Sequence, residues 1–277
     1  MSLAIDLRSY ENLSLGGALT IKAECEILCS YFNFDKGYLL LPKGDIPEII
    51  LQILNTLPIF LKPANYVPSN AFTWPKKNYN NKNIELHSFQ RLEDLYKKYN
   101  LRPSLSWPTE SDEQSGKNPL KDKINIFVHL KNTYPYELNE SNTNWLEWKK
   151  FFDFSMREYP HIHYNLMGDD KIEDEVIKLD NIYVLKDEYS LLDQFYLIKF
   201  AQGFLGTASG ICCAANFSSI PYIIFKHPYH HISEMKEELG ERENFNFSCK
   251  NQFIIREEQT FKLLKNSLDI IMNEYEV

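Results

Sequence analysis

The sequence predicts an α/β protein built from two Rossmann-like domains, each a parallel sheet with helices on both faces. Three observations predict it. Short apolar strands such as "INIFVHL", "HIHYNLMG" and "PYIIF" alternate with amphipathic segments, the pattern of βαβ units and a parallel sheet. A chain of 277 residues holds one large or two small domains at roughly 100–200 residues each. Between its halves lies "RPSLSWPTESDEQSGKNPLKDK", polar and carrying Pro103, Pro108, Gly116 and Pro119, the composition of a domain boundary. The expected division is an N-terminal domain over 1–105, a linker over 106–122 and a C-terminal domain over 123–277.

The opening "MSLAIDLRSYENLSLGG" is polar. It lacks the apolar core of a secretory signal and reads as a loop. Ala18, Ile21, Cys25, Leu28, Cys29 and Phe32 then recur at helical spacing. Asn12 or Ser14 can cap that helix, and Gly16 and Gly17 let it start tightly. "GYLLLP" is a short strand closed by proline. An amphipathic helix over 46–57 follows, with Pro47 near its first turn, where the missing N–H is harmless. "PIFLKP" and "IELHSF" are candidate strands, and 90–99 is a third helix.

The second half is more regular. A buried strand is expected over 124–130, then a long loop. The helix over 144–159 gathers Trp145, Trp148, Phe151, Phe152 and Met156 largely on one face. Thr143 or Asn144 caps it, and Glu147 sits in its first turn, where negative charge is favoured. Strands over 161–168 and 181–185, a helix over 190–201 and the strand "GFLG" follow. The next stretch, "TASGICCAANF", reads as a glycine- and hydroxyl-rich turn and a small-residue helix over 210–217. It leads into the strand "PYIIF", and the chain ends in an amphipathic helix over 258–275.

The formal charge is −8. Nucleic-acid binders normally show a basic face, and the nearest approach here is Lys76, Lys77 and Lys82 in an asparagine-rich run that reads as solvated loop. Nucleic acid is therefore not an expected partner, nor is an anionic membrane surface. No apolar run approaches the roughly 20 residues of a membrane span. The cysteines are odd in number, five, without zinc-type spacing, which suits buried free thiols in a reducing cytoplasm.

In an open parallel sheet, ligands bind beyond the carboxyl ends of the strands. There the first strand of the second half presents His129, Lys131, Asn132 and Thr133, a cation and amides suited to a phosphate. After the next strand come Gly168, Asp169 and Asp170. Paired carboxylates can serve as a base or hold a metal, but the charged run that follows reads first as a helix start. Tyr189 follows the third strand. Gly206, Thr207, Ser209 and Gly210 surround the fourth strand's exit, where hydroxyls and the free N–H groups of a helix start would form an anion site. The pattern is neither a P-loop nor Gly-x-Gly-x-x-Gly, and it lacks the spacing of a hydrolase elbow. His227, His230 and His231 lie in one loop without strict ligand spacing, so a polar ligand-lining loop is expected and no metal site.

These stretches resemble the nucleotide-sugar-binding domain of GT-B glycosyltransferases, specifically the heptosyltransferase-like family and more loosely the fucosyltransferase-like enzymes. "INIFVHLKNT", "NWLEWKKFFDFSMREYPHIHYNLMGDD" and above all "EYSLLDQFYLIKFAQGFLGTASGICCAANFSSIPYIIF" carry the resemblance. It implies that Thr207, Ser209 and Gly210 contact the donor's pyrophosphate, joined by Gly206 and Lys131. "NLSLGGALTIKAECEILCSYF" is similar to the family's first glycine loop and helix, making Gly16 and Gly17 expected cleft-lining residues beside Asn132, Tyr189 and His227 of the second half's loops. The family's Asp after that glycine is replaced by Gly17 here. His129, Asp169 and Glu11 are the candidates for a base. The resemblance implies a cytoplasmic, metal-independent transferase that needs no cofactor beyond its nucleotide-sugar donor and passes the sugar to a saccharide or lipid-linked acceptor. The missing Asp keeps a non-catalytic nucleotide- or sugar-binding protein open, and shared architecture keeps a nucleotide-sugar epimerase open.

Overall fold

The structure is a computed structural model that describes residues 1–8, 13–42, 45–59, 61–75, 89–107, 123–133 and 140–273. The chain divides into two compact units, Met1–Pro108 and Thr109–Val277.

Unit 1 runs β1 (Ser2–Asp6), α1 (Leu15–Tyr31), β2 (Lys36–Leu40), α2 (Glu48–Asn55), β3 (Leu61–Pro63), β4 (Phe72–Trp74) and α3 (Phe89–Tyr99). The four strands are parallel in the order β3-β2-β1-β4. The opening segment expected as loop therefore supplies a central strand. "SLAID" has only three apolar residues in a row, too short a signal beside its polar neighbours. Yet Leu3, Ala4 and Ile5 are fully buried, because a central parallel strand is covered on both faces. β4 also escaped the sequence reading, and the expected strand over 84–89 lies almost wholly outside the described residues.

Ser14 caps α1, its Oγ accepting the Gly17 N–H at 3.2 Å. The helix is buried nearly all round, and three of its charged residues, Lys22, Glu24 and Glu26, are buried with it. Each is partnered. Lys22 Nζ lies 2.6 Å from Glu26 Oε1. Glu24 accepts from Arg91 Nε at 2.8 Å and from Trp74 Nε1 at 2.7 Å. Glu26 accepts from the Ser106 N–H and hydroxyl. Buried charges persist only where they are paired in this way.

Unit 2 runs β5 (Ile124–His129), α4 (Trp145–Glu158), β6 (Ile162–Leu166), α5 (Asp174–Ile177), β7 (Ile182–Val184), α6 (Leu191–Leu197), β8 (Gly203–Thr207), α7 (Cys212–Asn216), β9 (Tyr222–Phe225), α8 (Ile232–Glu238), β10 (Gln252–Ile255) and α9 (Phe261–Met272). Its six strands are all parallel, in the order β10-β9-β8-β5-β6-β7. Numbered within the unit that is 6-5-4-1-2-3, the Rossmann order read from the far edge. Two elements differ from expectation in detail. β10 carried no sequence signal, being four residues long, and the helix expected over 210–217 is only Cys212–Asn216.

One core face joins Ile126, Val128, Leu205, Ile223 and Phe225 of the sheet to Trp148, Phe151 and Phe152 of α4 and Leu264, Leu268 and Ile271 of α9. Each such side chain contributes about 1.5–3 kcal/mol by leaving water. Asn144 caps α4, accepting the Glu147 N–H, and Glu147 Oε2 accepts the Phe261 N–H at 2.7 Å, so the start of α9 is tied to the start of α4. The polar end of Trp148 is satisfied too: Nε1 donates to Gln259 Oε1 at 2.6 Å.

Candidate functional site

The strand order of unit 2 reverses between β5 and β8, and the crevice beyond such a switch point is where open α/β sheets bind ligands. His129, the last residue of β5, pairs with Gly206 near the end of β8, and Thr207 pairs with Phe225, the last of β9. Neighbouring strands lie about 4.8 Å apart, so the segments leaving β5, β8 and β9 lie side by side.

His129 is fully buried. Its Nδ1 lies 3.1 Å from the Met167 carbonyl oxygen, which accepts only if Nδ1 carries the proton. That leaves Nε2 as a lone pair, without a hydrogen-bond partner among the described residues and 3.8 Å from Asp170 Oδ2. Burial holds the imidazole below its ordinary pKa, with Asp170 pulling the other way, so the ring is neutral and closed off from solvent. It sits against Gly168, whose φ is +97°, and a Cβ there would stand 3.0 Å from Nδ1 and 2.6 Å from Ile211 Cδ1. Of the two adjacent carboxylates, Asp169 is exposed. Asp170 is the one that turns inward, accepting the Asn132 N–H at 2.9 Å. Asn132 Nδ2 in turn donates to the Lys171 carbonyl at 2.7 Å.

Lys131 is half-buried and donates from Nζ to Ser141 Oγ at 2.6 Å. Burial lowers its pKa, and Asp170 opposes that.

The turn after β8 differs from its expected form. Gly206 is inside the strand and buried. A Cβ there would meet the Phe204 ring at 2.8 Å and the His129 carbonyl oxygen at 3.2 Å, so the glycine answers to sheet packing. Thr207 is also buried. Its hydroxyl donates to Gln259 Oε1 at 3.2 Å and is 2.9 Å from Thr143 Oγ1, which is then the donor between the two. Ser209 Oγ accepts the Ile211 N–H at 3.2 Å, its carbonyl accepts from Cys212, and the Gly210 carbonyl accepts from Cys213. The first N–H groups of α7 are thereby consumed inside the turn, and five residues make too short a helix to act through its end. One donor remains: the Ser209 N–H is directed at the Cys212 thiol, while the N–H of half-buried Gly210 meets no acceptor among the described residues.

The segment after β9 holds Lys226, His227, Tyr229, His230 and His231. The rings of His227 and Tyr229 stand edge to face at 5.7 Å, and those of His230 and His231 at 4.0 Å. Tyr229 is 74% exposed, and His231 takes a left-handed backbone at φ +56°. Burial, then the charges of His231, Lys226, Lys131 and His227, push the His230 pKa down to about 4. Lys131 and Lys226 also both act on the Cys212 thiol, which burial pushes up to about 12. The cations leaving β5 and β9 therefore converge around the turn that leaves β8. Beside this segment, Pro228, Glu241, Glu243, Arg256 and Glu257 line a polar cavity of about 350 Å³.

The other expected site residues belong to other segments of the chain. Gly16 and Gly17 are buried in the first turn of α1 in unit 1, and Glu11 is outside the described residues. Tyr189, half-buried beyond β7, offers its carbonyl to Gln194 Nε2 at 3.0 Å; β7 is two strands from β5. Among the described residues, no group of three or more His, Cys, Asp or Glu side chains is placed to hold a metal ion, and no helix is long and apolar enough to cross a membrane. Sequence reasoning passed over Lys226, Ser141 and Gln259. Lys226 was legible as the residue just past an apolar strand, whereas Ser141 and Gln259 lie far along the chain from their partners and gave no signal.

Two parallel α/β units in one chain, the second wound in the dinucleotide-binding order, define the GT-B class of fold. Solved heptosyltransferases share this fold. The chain is similar to the E. coli heptosyltransferase WaaC solved with ADP, at a TM-score of 0.60 and 12% identity, covering 98% of this chain and 100% of that one. It is similar to E. coli ADP-heptose LPS heptosyltransferase II, at 0.50 and 12%, over 99% of each chain. It is also similar to the dodecameric iron-containing glycosyltransferase TibC of enterotoxigenic E. coli, at 0.53 and 11%, covering 99% of this chain and 77% of that one. No protein-family model matches the sequence, and no curated protein matches it.

Proposed function

We propose that the protein is a glycosyltransferase that takes its sugar from a nucleotide-activated donor, and that unit 2 holds the donor's diphosphate. The observation that carries this reading is that Lys131, leaving β5, and Lys226, leaving β9, both act on the Cys212 thiol behind the turn that leaves β8, at the switch point of a Rossmann-ordered sheet, where the Gly210 N–H meets no acceptor among the described residues. Cations and a fixed amide there would stabilise charge gathering on a departing nucleoside diphosphate, an electrostatic form of catalysis that asks nothing of a metal. The fold supports the choice of ligand: WaaC was solved with ADP and with ADP-2-deoxy-2-fluoro heptose. A saccharide or lipid-linked acceptor, polysaccharide biosynthesis and a cytoplasmic setting complete the reading.

The base that takes the acceptor's proton is open to Glu11 and Asp169; the enclosure of His129 speaks against it in that role. The same enclosure favours, as the second reading, a protein that binds the nucleotide without transferring a sugar. Thermal-shift titration with ADP, UDP, GDP and their sugars tests the first step. Stabilisation by a nucleoside diphosphate, weakened in Lys131→Ala, is the expected result, and no stabilisation by any of them would refute the proposal. Product analysis with the best-bound nucleotide sugar and a panel of saccharide acceptors then separates transfer from binding alone.

A further inference from the structure

We infer that Asp170 is a positioning residue: it holds the segment that leaves β5 so that Lys131 is presented to the diphosphate. This rests on the donor-binding reading above and adds to it the residue that sets the cation in place.

β5 is paired with β6 as far as Val128 and with β8 as far as His129. Lys131 lies past the last of these pairs, where the sheet no longer fixes the chain. Its own loop holds it from one side. The Lys131 carbonyl accepts the Thr143 N–H at 2.9 Å, and Lys131 Nζ donates to Ser141 Oγ at 2.6 Å. The Thr133 N–H donates to Asn142 Oδ1, and Asn142 Nδ2 donates back to the Thr133 carbonyl, both at 2.9 Å. These bonds close the loop on itself and leave its placement over the sheet free. Contacts on either side of Lys131 supply the placement, and they go to the segment leaving β6. Before it, His129 Nδ1 lies 3.1 Å from the Met167 carbonyl oxygen. After it, the Asn132 N–H donates to Asp170 Oδ1 at 2.9 Å, and Asn132 Nδ2 donates to the Lys171 carbonyl at 2.7 Å. The acceptor segment is itself held, since Lys186 Nζ donates to the Asp170 carbonyl at 3.1 Å.

An N–H donated to a carboxylate is a charge-assisted bond, roughly twice as strong as a neutral one. The two oxygens of Asp170 have separate surroundings. Oδ1 takes the Asn132 N–H, while Oδ2 stands 3.8 Å from the lone pair of buried His129 Nε2, which has no partner among the described residues. An asparagine at 170 keeps the first bond through its Oδ1, and its Nδ2 offers the imidazole lone pair a donor. An alanine keeps neither. The two substitutions therefore separate holding the loop from carrying a charge.

The test is a double-mutant cycle of Asp170→Ala and Lys131→Ala in the full chain. Calorimetry reads the affinity for the tightest-bound of ADP, UDP and GDP. Asp170→Ala alone should weaken binding about tenfold, yet added to Lys131→Ala it should weaken binding by less than about twofold, because residues of one network do not act additively. Asp170→Asn, which keeps the bond to Asn132, should bind within about twofold of the wild type. Asn132→Ala cuts the tie to the Lys171 carbonyl and leaves Asp170 in place. Its loss too should vanish without Lys131, and it replaces Asp170→Ala in the cycle if melts show that variant unfolded. Equal losses in both backgrounds would make Asp170 a ligand in its own right and overturn the inference. So would an asparagine variant as weak as the alanine one, or no loss in Asp170→Ala; the donor reading would stand in each case. No binding by any of the three nucleotides, or undiminished binding in Lys131→Ala, would remove both.

Discussion

Gly168→Ala is the sharpest perturbation of the edge where the site is built. The glycine holds φ at +97°, and the added Cβ would stand 2.6 Å from Ile211 Cδ1 and 3.0 Å from His129 Nδ1. Two costs combine. A positive φ costs an L-residue about 1–2 kcal/mol, and crowding a packed site costs ~1–3 kcal/mol. The His129 ring cannot simply retreat, since its Nδ1–H is committed to the Met167 carbonyl. The sum is roughly 2–5 kcal/mol, or a midpoint lower by about 5–15 °C for a unit of this size. Gly240→Ala supplies the comparison, for Gly240 has φ +62° and nothing within 4 Å of its added Cβ. It bears the first cost without the second. Thermal and urea unfolding, followed by tryptophan fluorescence with Trp145 and Trp148 reporting on unit 2, measure both variants. Adding Ile211→Val, which removes the clashing Cδ1, should restore part of the Gly168→Ala loss. If Gly168→Ala costs no more than Gly240→Ala, the close packing of Gly168 between β5 and the β8 turn is refuted.

Other outcomes follow from the same geometry. Lys131→Ala should weaken nucleoside diphosphate binding about ten- to hundredfold, the loss of one hydrogen bond to a charged group at ~1.5–3 kcal/mol, as read by calorimetry. Thr207→Val should act on stability, because it leaves Thr143 and Gln259 each short of a buried partner at ~1–3 kcal/mol. Its effect on nucleotide affinity should be small, and a large affinity loss with normal stability would return Thr207 to the ligand. Arg91→Met should destabilise the protein by about 3–5 kcal/mol, since Glu24 would be left as an uncompensated buried charge; urea denaturation reads it. His230 titrates lower in the fold, near 4, than the ~6.5 of an unfolded chain. Its contribution to stability is full above pH 6.5 and is lost as the pH falls towards 4, so His230→Gln should be the more acid-resistant protein in melts between those values.

The architecture was legible where apolar runs were long and repeated. "INIFVHL", "HYNLM" and "YIIF" each placed a strand of unit 2, and the turn-and-small-residue pattern placed β8 and α7 on the ligand edge. What failed was short or directional. β1 and β10 have five and four residues, and pairing on the sheet decides such strands more than local pattern does. The site erred through orientation. Asp169 and Asp170 are chemically equal in sequence, yet the positive φ at Gly168 fixes which one turns to His129. Thr207 looked like a ligand hydroxyl because its partners, Thr143 and Gln259, stand 64 and 52 residues away. The Gly210 N–H meets no acceptor among the described residues, and that property cannot be read from residue type.

The buried charges of α1 bear on how unit 1 finds its fold. Glu24 meets Arg91 across 67 residues of chain, and Glu26 meets Ser106 across 80. An apolar helix can slide by one turn on its neighbours and still bury oil against oil. This one cannot, because a slip of four residues would strand a carboxylate from its guanidinium at a cost of several kcal/mol. The charges therefore work as a key. They reject near-miss dockings of α3 during folding and leave a single register in which the helices close.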